Sequence, residues 1–490
     1  MDVIPIILFW GLALWSLFGK AHVQLYLFFG SMAFGAFAVI PPEITGGLTF
    51  TPTPMVALLM IARSLCSPGG LNFFAIAAFS PKRLLWLFLF WITAIIVTIF
   101  MPRFFAGQVT IIPMRLELST FGEPLYPTTQ NLSQLAYLTI SVFSVFAFSR
   151  LLRDSAMRQH ALAAMCLGAG MAIFTGLLDF IGGYVSLEPI LSPFRTAAYS
   201  LLTDVEVMGG KRVVGLMPEA SAYGGLCIGL LGMVHFFRYA IEGRWLRERA
   251  APVLILLLIA FIWLSTSSAS YVGLAVFLLV ATIEWAVRKA SRRKSGWKKQ
   301  KGLGVEFWLA WSLLLVIGFV VLFFPALLDP ITEKVNEMVF NKSQTSSFEE
   351  RSMWTATGWN ALWDTWGLGV GIGATRTSNF AAAIFSNTGV LGGILYFGFV
   401  IKTMLRKLPA QGDGVSGAML SAIPYAFVPP FAVTLLTGTT TDFGSYNGFL
   451  YGLALAVVIS VPRKIWVAVP SRPLEIHPSH LNPHGSELPR

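Results

Sequence analysis

The sequence predicts an all-α polytopic membrane protein, and three observations carry that prediction. Apolar runs long enough to cross about 30 Å of hydrocarbon as helices recur along the whole chain. Hydrophobic residues make up 55% of the 490 and charged residues 12%, with a mean hydropathy of +0.70, far from the composition of a soluble domain. No segment shows the alternating pattern of an outer-membrane barrel. Forty Phe and fifteen Trp suit lipid-facing packing and interfacial belts, so aromatic content by itself points to no ligand.

Spans are expected near 3–18, 22–40, 53–70, 84–102, 132–149, 161–184, 220–238, 251–265, 270–287, 305–328, 381–401, 416–437 and 446–462, about 12–14 transmembrane helices in all. The first, "IPIILFWGLALWSLF", lacks a basic leader and a small-residue cleavage site and is expected to be retained. "CSPGGLNFFAIAAFS" (66–80) fits either a helix extension or a re-entrant piece.

Orientation rests on "RKASRRKSGWKKQK", rich in Lys and Arg and free of acids, which the positive-inside rule makes cytoplasmic. Alternation from it puts the basic segments 80–83, 150–158, 237–249 and 402–407 on the same side. The net charge of +11 is thereby assigned to membrane topology rather than to nucleic acid. The expected organisation is transmembrane helices over 1–328, with outward loops 103–131 and 185–219 and the basic loop 288–303. A large late outward loop with an amphipathic helix follows over 329–380, then C-terminal spans over 381–462. The Pro-rich tail 463–490, with His477, His480 and His484, is expected to be disordered and cytoplasmic.

Cys66, Cys166 and Cys227 sit in or beside apolar runs at no metal or redox spacing. Asp204, Glu206, Glu349, Glu350 and Asp364 are scattered without a His or Cys cluster, so no metal and no cofactor is expected. The run "GLGVGIG" (367–373) lacks the Lys-Ser/Thr continuation of a P-loop and the strand context of a dinucleotide fold. It is expected to turn the chain sharply and act as a hinge.

Charge on the outward side is the unusual feature. Lys211 and Arg212 follow a Gly-Gly turn, and Glu219 and Ser221 open the next apolar helix. Pro218 fits an early helical turn and Glu219 the positive end of the helix dipole. One reading is a capped helix with an interfacial basic pair. The other is a phosphate held by Arg212 and Lys211, with Glu219 as base or sugar anchor.

In "SSFEERSMWTATGWNALWDTWGLGVGIGATRTSNF" (346–380), Trp359, Trp363 and Trp366 share one face at helical spacing, and Arg351 and Trp354 are neighbours a turn or two earlier. A membrane-surface helix accounts for the tryptophans. It leaves unexplained why Arg351 and Arg376 bracket that helix where positive charge is scarce. Arg is shaped to grip a pyrophosphate in a bidentate fork, and Trp faces suit sugar rings.

Taken together, "KRVVGLMPEASAYGG" (211–225), "ERSMWTATGWNALWDTWGLGVGIG" (350–373) and "SNFAAAIFSNTGVLGGILYFG" (378–398) resemble, in order and spacing, the O-antigen ligase and Wzy-type polysaccharide polymerase superfamily. The resemblance covers about a third of the chain and implies a GT-C-like helical fold. It implies metal-independent glycosyl transfer from undecaprenyl-pyrophosphate-linked oligosaccharide at the periplasmic face of the bacterial inner membrane. By position Arg212 and Arg351 match the family's essential arginines, and Glu219 its acidic position. Lys211, Arg376, Trp354, Asn379 and Arg195 complete the expected substrate-binding set. The ligase His-Asn pair is replaced by Ser378-Asn379, favouring a polymerase that joins lipid-linked repeats over a ligase that moves glycan to lipid A core or protein. In "STSSASYVG" (265–273) Ala269 or Ser270 stands where the family often has a basic residue. Membrane lipids are expected partners, and a chain-length-regulating co-polymerase is an optional one. A flippase or transporter is the reading from another class; it calls for charges deep in spans, of which Arg63 is the clearest.

Overall fold

The computed structural model describes residues 3–45, 49–114, 122–199, 201–203, 206–207, 210–295, 346–407 and 414–460. The expected span at 305–328, the loop stretch 329–345, most of the acid-free basic loop, Asp204 and the tail with its three histidines lie outside them. The chain is a multi-pass helical membrane protein. Its helices are α1 Val3–Phe18, α2 Ala21–Ser31, α3 Pro52–Cys66, α4 Gly70–Phe79, α5 Leu85–Phe104, α6 Thr129–Leu151, α7 Ser155–Gly182 and the single turn α8 Glu188–Leu191. They continue with α9 Ala220–Phe237, α10 Ala251–Leu264, α11 Ser268–Ser295, α12 Ser346–Asp364, α13 Phe380–Met404, α14 Gly414–Thr437 and α15 Gly444–Ser460. Two antiparallel two-residue ladders, β1 Thr110–Ile111 with β2 Glu123–Pro124 and β3 Glu206–Val207 with β4 Gly210–Lys211, lie in the loops.

Among the described residues seven helices are long and apolar enough to cross a membrane. The pair α3 and α4, bent by 104°, resolves the ambiguity at 66–80: α4 turns aside rather than extending α3. The expected span 22–40 is half helix. After Ser31 the chain runs on as irregular but buried backbone. Its polar groups are met by neighbours: Ala36 N–H donates to the Leu216 carbonyl (2.9 Å), and the Ala36 carbonyl accepts from Thr196 N–H and Ala197 N–H (both 3.0 Å). Hydropathy cannot separate a buried irregular strand of chain from a helix, because both are apolar.

The basic segments gather at one end of the bundle, as the alternation required. Arg150 donates to the Ser64 carbonyl, the Ser67 hydroxyl and the Pro68 carbonyl, at the α3–α4 bend. Arg406 donates to the Lys82 and Arg83 carbonyls at 3.2 and 2.9 Å. Gln159 reaches the Ala240 carbonyl, and the Arg288 guanidinium stands 4.3 Å over the Tyr239 ring. Arg63 belongs to this end too. It donates to the Ser16 and Gly19 carbonyls at the close of α1 (2.9 and 2.7 Å), so it is a helix-end clamp and not a charge at mid-membrane.

Between the ends, the core is built from close helix contacts with edge-to-face aromatics such as Phe28 with Phe148 (5.0 Å) and Phe148 with Phe449 (5.4 Å). Small residues let the backbones approach: a Cβ on Gly232 of α9 would stand 3.2 Å from the Ala426 carbonyl oxygen of α14. Such contacts drive helix association where lipid removes the hydrophobic term.

Candidate functional site

The opposite end carries the charges expected to face outward, and a buried carboxylate organises the first loop. Asp179, near the end of α7, is 1% exposed. Its Oδ2 accepts from Val214 N–H (2.7 Å) and Gly215 N–H (3.1 Å). Its Oδ1 meets Arg195 Nη2 at 2.8 Å and Lys211 Nζ at 3.5 Å. Arg195 also donates to the Gly215 carbonyl (3.1 Å). Two of the expected substrate-binding residues, Arg195 and Lys211, are thus committed to holding the loop.

Arg212 faces away from that cluster. Its Nε donates to the Ser265 carbonyl at 3.4 Å, in the break between α10 and α11. Burial pushes its pKa below the ordinary arginine value; Glu219 and Tyr271 oppose the shift and Arg351 adds to it. Glu219 is the N-cap residue of α9, in extended backbone at φ −156°, ψ 164°. Pro218 therefore lies just before the helix rather than in its first turn. Glu219 makes no capping bond with its side chain, which accepts from the Ser221 hydroxyl.

Arg351 and Trp354 lie on α12 as the spacing predicted. Arg376, on the chain leading to α13, places its guanidinium 3.7 Å from the centre of the Trp354 ring, a cation–π contact that holds the charge in place. The Trp354 face expected to meet a sugar is therefore covered by Arg376. Burial lowers the Arg376 pKa, with Glu350 opposing, Arg351 adding and Glu219 opposing. The same two charges, Arg351 and Glu219, are felt at both Arg212 and Arg376. Sites far apart in sequence thus form one group. Among the described residues none of the three guanidiniums has a carboxylate within ion-pair distance. Nearby carboxylates damp the like-charge repulsion without neutralising it.

The remaining expected residues have structural duties. Asn379 Oδ1 accepts from Ala382 N–H (3.0 Å) and caps α13. Trp366 falls beyond the end of α12, at φ 53°, so it leaves the shared face. Trp363 and Trp366 are 67% and 77% exposed, whereas Trp359 packs on Phe385 at 5.9 Å.

The glycine run is pinned instead of hinged. Val370 N–H donates to the Ser386 carbonyl (2.8 Å), Gly371 N–H to the Asn387 carbonyl (3.1 Å), and Val390 N–H to the Gly367 carbonyl (2.8 Å), across a break in α13 at Gly389 (φ 73°, ψ 178°). Ile372 N–H bonds Thr98 Oγ1 (3.0 Å), and its carbonyl accepts from Asn131 Nδ2 (2.8 Å). Gly371, at φ 95°, would bring a Cβ to 2.9 Å from Pro102 Cγ of α5. Left-handed backbone and close approach both require glycine there.

Beside Arg212, Thr266 takes φ 44°. The buried hydroxyls of Thr266 and Ser270 have no hydrogen-bond partner among the described residues. Of the residues that organise this end, Asp179 escaped sequence reasoning; its signal was a single acid near the end of the run "AIFTGLLDFIGG". Compared with models of protein families, with curated proteins and with solved structures, the chain finds no match.

Proposed function

We propose that this protein polymerises undecaprenyl-pyrophosphate-linked oligosaccharide repeats at the periplasmic face of a bacterial inner membrane, as a GT-C-like glycosyltransferase. The observation that supports this reading is the group of guanidiniums, Arg212, Arg351 and Arg376, without an ion-pair partner among the described residues, with the Glu219 charge felt at two of them. Burial takes Arg212 and Arg376 partly out of water, which costs free energy unless an anion of matching charge joins them. A pyrophosphate suits them, and the positive end of α9 adds to the attraction.

In this reading Arg212 and Arg351 bracket the donor pyrophosphate while Arg376 is steadied by Trp354. The acceptor hydroxyl gives its proton to Glu219 as its oxygen bonds to the anomeric carbon. The bond from that carbon to the pyrophosphate oxygen breaks, and the leaving charge develops against the guanidiniums. The buried, unpartnered Thr266 and Ser270 hydroxyls belong to the same stretch, 265–273, in which the resembling family often carries a basic side chain.

The test is polymer length in cells that make the glycan. Arg212→Ala and Arg351→Ala are each expected to leave single repeats unextended, and an unchanged length distribution in either variant removes the assignment. Reconstituted protein that carries lipid-linked repeats across vesicles without lengthening them would turn the reading to transport.

A further inference from the structure

The corner between α3 and α4 produces a helix that does not cross the membrane. α3 runs alongside the spanning helix α6: Tyr137 of α6 donates to the Thr49 carbonyl just before α3, and Arg150, near the other end of α6, donates to the Ser64 carbonyl close to where α3 stops. The 104° bend then lays α4 nearly at right angles to that span. Glycine makes the corner, since Gly69 takes φ 71° and a Cβ on Gly70 would overlap the Ser64 carbonyl oxygen. Both ends of α4 stay with the basic end of the bundle. Arg150 bonds the Pro68 carbonyl before it, and Lys402 and Arg406 bond the Pro81, Lys82 and Arg83 carbonyls after it. With 10 residues, α4 is about 15 Å long, half of a bilayer core.

The inward face of α4 carries Phe73, Phe74, Ala77 and Ala78. Phe74 stacks on Phe143 and Phe146 of α6, ring centres 6.3 and 5.3 Å apart. These lie about 12 and 8 Å along the axis from the end of α6 at Leu151. In-plane helices seat their apolar faces at a similar depth, roughly 5–10 Å into the boundary between headgroups and acyl chains. The outward face is apolar as well: Leu71, Ile76 and Phe79 are 71%, 48% and 70% exposed.

Charge around this face has one sign. Arg153 and Lys82 are both exposed. The Arg153 guanidinium stands 5.9 Å from the centre of the Phe73 ring, towards the start of α4, and Lys82 follows closely after its end at Phe79. Neither has an ion-pair partner among the described residues. No acid occurs between Glu43 and Glu117. Asp154, next to Arg153, caps α7, its Oδ1 accepting from Ala156 N–H (3.0 Å).

We propose that α4 is an in-plane helix that binds anionic phospholipid in the leaflet at the basic end, its outward face against acyl chains and Arg153 and Lys82 holding headgroup phosphates on its two flanks. A lipid supplies both parts of the complement, because apolar chains and an anion are joined in one molecule. An apolar helix of another protein would cover the face and leave the exposed cations unmatched. Each cation at a membrane surface strengthens binding of an anionic headgroup about fivefold, so a zwitterionic lipid is held more weakly. The assignment is independent of the glycan chemistry proposed for the opposite end.

A fluorophore on Ile76→Cys tests it in the full chain, in a Cys66→Ala background because the other two cysteines are buried. The protein is placed in phosphatidylcholine nanodiscs containing a rising fraction of lipid with brominated acyl chains, which quench at contact. Brominated phosphatidylglycerol is expected to quench at about a tenfold lower fraction than brominated phosphatidylcholine. Lys82→Gln with Arg153→Gln should bring the two lipids together, and Lys82→Gln alone, at an exposed position outside any helix, should lower the preference severalfold with the fold kept. Arg244→Gln with Arg249→Gln removes two exposed cations of the same end that are not beside α4, and should leave the preference in place. Quenching by neither lipid would put the face in water or against protein and overturn the proposal. Equal quenching by both lipids in the wild type, a preference that survives loss of Lys82 and Arg153, or an equal loss in the Arg244 and Arg249 pair would each overturn the anionic site.

Discussion

Two groups of basic residues, which touch in sequence at Lys211 and Arg212, are handled in opposite ways. Lys211 and Arg195 close on Asp179, which also takes two backbone N–H groups. Arg212, the next residue, turns to the other side and joins Arg351 and Arg376, where no carboxylate comes within ion-pair distance among the described residues. A satisfied buried charge holds a loop in shape. An unsatisfied, half-buried one stores attraction for something that arrives later. The difference lies in the partner supplied by the fold, since arginine stands on both sides.

The sharpest way to break this contrast is Asp179→Ala, which strips two cations and two N–H groups of their acceptor at once. A loss of about 3–5 kcal/mol is expected, read as a fall in unfolding temperature or as failure to accumulate folded protein. Arg351→Ala should act on the opposite quantity. Polymerisation falls about 10²–10³-fold, the scale of a lost transition-state donor, while the unfolding temperature stays put or rises as like-charge repulsion is relieved. Equal loss of stability in the two variants would erase the distinction.

Smaller effects refine it. Gly371→Ala puts a side chain at φ 95° against Pro102; about 1–3 kcal/mol of strain is expected, measured in the same melts, with Gly225→Ala as a control in open space. Trp354→Ala removes the support beneath Arg376 and should cost about 0.5–2 kcal/mol of pyrophosphate affinity. Trp363→Ala, on the exposed flank of α12, should leave that affinity unchanged.

Much of the helical plan was legible because spans and basic loops obey simple transfer and charge rules, and the gathering of Arg150, Lys402, Arg406 and Arg288 at one end follows from them. A grouping of Arg212 with Arg351 and Arg376 was expected from the family resemblance and from the scarcity of cations on the side assigned outward. What could not be read was which cations already had partners. Arg195 and Lys211 look the same in sequence as Arg212, and only folding brings Asp179 beneath them. Irregular segments were hidden for a similar reason: residues 32–40 are as apolar as a span, and their helix is undone by hydrogen bonds to residues 196, 197 and 216. Trp366 left its expected face because α12 ends at Asp364 and the chain turns left-handed before the glycines.

The pinned glycine run has one more effect. Through it, α12 and the chain bearing Arg376 are bonded to α5, α6 and α13 as one wall, while Arg212 stands on a segment latched to α7 through Asp179. On the proposed function, a pyrophosphate that joins these arginines meets two surfaces that are already set. Little ordering entropy is lost when such preorganised walls take a ligand, so most of the attraction among the charges is left to appear as affinity.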